Sequence, residues 1–113
     1  MKVLHEKRVL EVPCVEARGL RRVFGLMFRG QESQNISFSF SKDTGLAIHS
    51  WFVFFPFCIL WLDTKNRVQE MRIVKPFTTA IWSGRPYRRF IELPLNRRNK
   101  EIIKILVGEE RFK

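Results

Sequence analysis

LAIHSWFVFFPFCILWLD, residues 46–63, decides the fold, because an apolar run of this density must be either a membrane segment or the middle of a core. Before Asp63 closes it, the run carries one basic group, His49, and five aromatics crowded into Trp51, Phe52, Phe54, Phe55 and Phe57. A membrane-crossing helix needs about 20 apolar residues. The uninterrupted apolar part, residues 51–62, is 12 residues long and contains Pro56. Proline lacks the N–H that a helix interior or a central strand requires. The run therefore predicts two buried strands meeting at Pro56, about 47–55 and 58–62, and no membrane span. Neither half alternates apolar with polar, so both faces are expected to be covered. On this reading Phe54 is a core residue, and Phe54→Asp is expected to abolish folding.

Working outward, residues 36–40 (ISFSF) alternate, with Ile36, Phe38 and Phe40 on one side and serines on the other, as in a half-exposed strand. Residues 41–45 (SKDTG) and 63–66 (DTKN) have turn chemistry on either side of the apolar run. Residues 67–75 are mixed in polarity and predict an edge strand, and residues 90–93 predict another, stopped by Pro94. Short strands are expected at residues 2–5 and 8–12. A short helix is expected from about Ala17 to about Gly25, because Leu20, Val23, Phe24 and Met27 fall at helical spacing. Asn96 looks like the N-cap of a second helix bearing Ile102, Ile103 and Leu106 on one side. The sum is an α+β chain, mostly β: one domain over residues 1–113, with a compact antiparallel or mixed sheet, or a barrel-like core, and one or two short helices.

Net charge is the strongest compositional signal, at +10. It is uneven: residues 1–63 hold eight basic and six acidic side chains, residues 64–113 thirteen and five. Such an excess points to a polyanionic partner, nucleic acid first and anionic lipid second. Arg18, Arg22 and Arg29 would share the polar face of the first helix. Trp82, Arg85, Tyr87, Arg88 and Arg89 form the densest mixture of aromatic and basic residues, read as a loop that could stack bases while pairing phosphates. Arg97 and Arg98 occupy the first turn of the second helix, where positive charge opposes the helix dipole. The opening MKVLHEKRVLEV has no long apolar stretch of the signal-peptide kind, so a cytoplasmic protein is expected.

Five blocks in order, GLMFR (residues 25–29), IHSWFVFFPFCILWLD (48–63), RVQEM (67–71), VKP (74–76) and IELP (91–94), resemble the family called domain of unknown function 192, and its archaeal branch in particular. The resemblance covers about residues 12–109. It implies a compact, mostly β domain with no established activity and no catalytic residues to carry over. Cys58 stands where the family usually has an acidic residue, and LPLN (93–96) lacks its usual glycine.

Catalytic candidates are few. His49 could face Cys58 or Asp63 as a thiol and imidazole pair. Against this, the two cysteines lie in no CxxC, and no metal-ligand spacing or glycine-rich phosphate loop is present, so no cofactor is expected. The reading is a non-catalytic module that binds RNA or DNA through its basic surface. The alternative is a small-ligand module, for example for a carbohydrate, using an aromatic pocket.

Overall fold

The computed structural model describes residues 1–19 and 25–107. Strands β1 (Lys2–His5) and β2 (Arg8–Glu11) form an antiparallel hairpin. The remaining strands are β3 (Val15–Glu16), β4 (Ile36–Thr44), β5 (Phe57–Leu62), β6 (Val68–Val74) and β7 (Tyr87–Pro94), which build one open sheet in the order β3-β4-β7-β5-β6. Among the described strand pairs of this sheet, β3–β4 is parallel and the others are antiparallel. A single 3-10 turn (Arg97–Asn99) leads into helix α1 (Lys100–Val107).

β5 explains why one sheet suffices. FCILWL is buried at every position, and its side chains divide by parity: Phe57, Ile59 and Trp61 enter one apolar cluster, Cys58, Leu60 and Leu62 the other. The second cluster is closed by Val3, Leu10 and Val12 around the hairpin and by Ile103 and Leu106 from α1. The first is closed by irregular chain, with Leu26, Ile48, Val53, Phe55 and Ile81 packed onto Phe38, Phe90 and Trp61. The sheet is therefore covered by regular elements on one face and by long loops on the other.

Several expectations change here. The second half of the apolar run is the predicted buried strand. The first half is not a strand at all. Residues 45–56 form a loop tied by the Ile48–Ile81 bridge and by Ser50, whose hydroxyl donates to the Lys75 carbonyl (2.9 Å) and accepts from the Thr78 N–H (2.5 Å). Ile48, Val53 and Phe55 are buried while Trp51, Phe52 and Phe54 are exposed, and Phe52 has φ +56°, which no strand accommodates. Phe54 is 62% exposed and so is not a core residue. An unbroken apolar run does not prove burial on both faces when half of its side chains are displayed.

β4 runs on to Thr44 through the expected turn, and Ser37 is buried beside Ile36 and Phe38, so its start is covered on both faces. Tyr87, Arg88 and Arg89 belong to β7 and not to a loop. At the first expected helix, the Ala17 N–H donates to the Ser37 carbonyl (2.8 Å) in continuation of β3, and Gly19 has φ +57°. Neither is helical. The rest of that expectation, with Arg22, lies at residues 20–24, outside the described residues.

β6 is the edge strand that its polarity predicted. Asp63 makes its turn by accepting the N–H groups of Lys65 (2.8 Å) and Arg67 (2.9 Å). Partial burial opposes ionisation of Asp63, but those two donors and the Arg67 guanidinium outweigh it and hold the carboxyl below its ordinary range. Asn96 caps the last helical segment as expected, its side chain accepting from the Asn99 N–H at 3.1 Å. Asn99 is itself buried and exchanges two amide hydrogen bonds with Asn35, 2.7 and 2.9 Å, while also donating to the Pro94 carbonyl. That pair staples the end of β7 to the start of β4.

Candidate ligand pocket

The register of the sheet places one carboxyl inside an aromatic wall. Ile36 lies opposite Glu92, and Phe38 opposite Phe90, in the β4–β7 pairing; Ile59 and Trp61 lie opposite the same two residues in the β5–β7 pairing. Glu92 thus points from the middle of β7 into the apolar face covered by loops. It is buried, and its Oε1 has no hydrogen-bond partner among the described residues. Burial pushes this carboxyl from its ordinary 4.5 up to about 8, although the Leu26 N–H favours the ionised form. At pH 7 Glu92 is mostly a neutral acid, able to donate as well as accept.

Glu92 lines a cavity of about 200 Å³. Phe38 and Phe90 stack at 4.4 Å between centroids to form one wall; Phe40 and Tyr87 extend it, and residues 46–49 form the rim. Tyr87 is held by a hydrogen bond from its hydroxyl to the Leu46 carbonyl (2.7 Å), and burial raises that phenol to about 12. It acts as wall and rim tie. Gly25 forms the floor at φ +52°, and a Cβ there would stand 2.6 Å from Glu92 Oε1 and 3.2 Å from the Phe38 ring. Both the backbone conformation and the space require glycine at this point.

Of the predicted site residues, Tyr87 lines this pocket, and Arg22 lies outside the described residues. Arg18 and Arg85 are exposed, Arg29 is half-buried, and Trp82 is 61% exposed. Tyr87 is fully buried, so it offers no face to a base. Arg88 pairs with Asp43 (3.2 Å), and Arg89 donates to the Asn66 side chain. Arg97 is exposed. Arg98 is exposed too but reaches back to the Glu32 carbonyl. The His49 and Cys58 pair does not form: His49 sits on the pocket rim and accepts from the Trp51 N–H (3.3 Å), whereas Cys58 faces the opposite side of the sheet, where burial pushes its thiol up to about 12.

Glu92 was missed by sequence reasoning. Its signal in the sequence is a lone carboxylate in FIELP, inside a segment read as a strand. What it faces depends on the pairing of three strands and on a loop folding over them.

No curated relative matches the chain. Two solved structures share the fold. One is a "putative transcription regulator" from Sinorhizobium meliloti 1021, at TM-score 0.74 and 18% identity, covering 89% of this chain and 82% of that one. The other is a protein of unknown function from Novosphingobium aromaticivorans DSM 12444, at TM-score 0.70 and 16% identity, covering 89% of this chain and 75% of that one. At such identities the likeness speaks for the fold alone. The profile of the domain of unknown function 192 family, described as an uncharacterized ACR, matches residues 5–108, nearly the whole length, and the chain belongs to that family.

Proposed function

We propose that this protein is a non-catalytic binding module for a small, neutral ring compound of about monosaccharide size, held in the pocket around Glu92. The observation that carries this reading is an aromatic wall converging on a buried carboxyl whose Oε1 has no partner among the described residues. Ligand sites are typically apolar concavities with a few polar groups that fix orientation. Phe38, Phe40 and Phe90 supply faces and edges for a ring, and a protonated Glu92 supplies one donor and one acceptor for a hydroxyl or carbonyl. A ligand carboxylate or phosphate is disfavoured, because it would be desolvated without a countercharge in the wall. Cys58 is buried on the opposite face of the sheet, so its thiol does not adjoin the pocket.

The test is amide chemical-shift mapping with methyl β-glucopyranoside and, separately, p-cresol, which share a ring and a hydroxyl. Shifts centred on Gly25, Phe38, Phe90 and Glu92 with either probe, lost in Phe90→Ala, are expected. Saturation with both probes and no shift at these residues overturns the reading.

A second reading keeps nucleic acid as the partner. It is favoured by exposed Trp82 three residues from exposed Arg85. It predicts salt-dependent binding of a fluorescent oligonucleotide that weakens in Trp82→Ala and Arg85→Ala. Within the family we assign the chain to the archaeal branch on its GLMFR and IHSWFVFFP blocks. Its free cysteines, Cys14 and Cys58, suit a reducing compartment, so we assign it to the cytoplasm.

A further inference from the structure

The loops that cover the pocket face also carry five large aromatics that the core does not use. Phe28, Trp51, Phe52, Phe54 and Phe77 are each 43–65% exposed, yet they pack on one another. Phe77 is the hub, meeting Trp51, Phe52 and Phe54 edge-on at 6.5, 6.1 and 5.2 Å between centroids, and Phe28 stacks on Phe52 at 5.0 Å. A contiguous exposed apolar patch of this kind marks an interaction surface. Phe28, Phe52 and Phe77 also have φ of +63°, +56° and +59°, a left-handed region unfavourable for bulky side chains. Backbone strain of this kind collects where structure serves binding.

We propose that this patch is a peripheral docking surface for an anionic lipid membrane, the aromatic tips entering the interface and flanking cations meeting the headgroups. Three features favour lipid over the other occupants. The segments that bear the patch, residues 17–31, 44–62 and 71–91, contain no aspartate or glutamate, while Arg29 and Lys75 adjoin it in sequence. Charge complementarity to an anionic surface is therefore built in. The rings meet one another largely edge-to-face, so the cluster is a wedge of edges and not a row of open faces on which bases could stack. Phenylalanine and tryptophan at an interface, with basic residues around them, are the composition of surface-bound membrane segments. No helix among the described residues is long and apolar enough to cross a membrane, so attachment would be to the surface.

The experiment is co-sedimentation of the full chain with vesicles of phosphatidylcholine alone and of phosphatidylcholine mixed with phosphatidylglycerol. Binding to the mixed vesicles, much weaker to the neutral ones and falling with salt, is expected. Phe54→Ser should reduce it by roughly tenfold or more, as loss of one inserted aromatic requires. In a Trp82→Phe background, brominated lipid should quench Trp51, the remaining exposed tryptophan, with no change at the patch itself; Trp61 is buried. The proposal is overturned by any of four results: no sedimentation with mixed vesicles, equal binding to both kinds, unquenched Trp51, or unchanged binding by a folded Phe54→Ser. Self-association or oligonucleotide binding lost in Phe54→Ser, without vesicle binding, assigns the patch to another partner and overturns it too.

Discussion

Replacing Glu92 by glutamine removes one proton equilibrium and little else, since the two side chains are nearly the same size. In the unfolded chain the carboxyl titrates near 4.5, and in the folded protein burial lifts it to about 8. Between those values the folded state holds the extra proton, so the contribution of Glu92 to wild-type stability is full at acidic pH and is lost as pH rises through this window. At 1.36 kcal/mol per unit, the loss is about 3 kcal/mol by pH 7 and about 5 kcal/mol by pH 9. Glu92→Gln has no such equilibrium and escapes the decline. Urea denaturation of both proteins at pH 5, 7 and 9 should therefore give curves that nearly coincide at pH 5 and diverge upward, the variant being more stable by about 5 kcal/mol at pH 9. Parallel pH profiles, with the variant less stable by a constant amount, would refute the reasoning. They would mean that Glu92 stays ionised in the folded state and that its bond from Leu26 is worth more than its desolvation.

Asn99→Ala should cost about 3 kcal/mol in the same denaturation assay, because it leaves the buried Asn35 Oδ1 without the donor from Asn99, although Asn35 Nδ2 keeps the Pro13 carbonyl, and removes the donor to Pro94. Gly25→Ala should lower stability by about 2 kcal/mol or more, through its positive φ and the 2.6 Å approach to Glu92 Oε1. Phe54→Asp should leave a folded protein destabilised by about 1 kcal/mol, the worth of its edge contact with Phe77; loss of soluble, cooperatively melting protein would return Phe54 to the core.

The fold was legible where a local rule had one solution. Residues 58–62 read as a buried strand, Asn96 as a helix N-cap, and Asp63 with Asn66 as a turn beside an edge strand. The rule failed at residues 47–55, where apolar composition was taken as burial although the chain displays alternate aromatics on a loop. It failed again at Tyr87, whose basic neighbours suggested a surface loop while its ring fills the pocket wall. The site was hidden for a different reason. Glu92 becomes unusual only once β4 and β5 flank it and Gly25 closes over it, and those partners lie far apart in sequence. Charge is legible in amount, but its partners depend on the fold: Arg88, Arg89 and Arg98 turn to Asp43, Asn66 and a backbone carbonyl.

The central claim, a neutral carboxyl in a ligand pocket, is tested most directly by following the Glu92 side-chain carboxyl carbon by NMR from pH 4 to pH 10, with and without methyl β-glucopyranoside or p-cresol. A midpoint near 8 is predicted, moved upward by a ligand that accepts the Glu92 proton in a hydrogen bond. A midpoint near 4.5 would contradict the neutral acid, and a midpoint near 8 that neither probe moves would contradict the ligand.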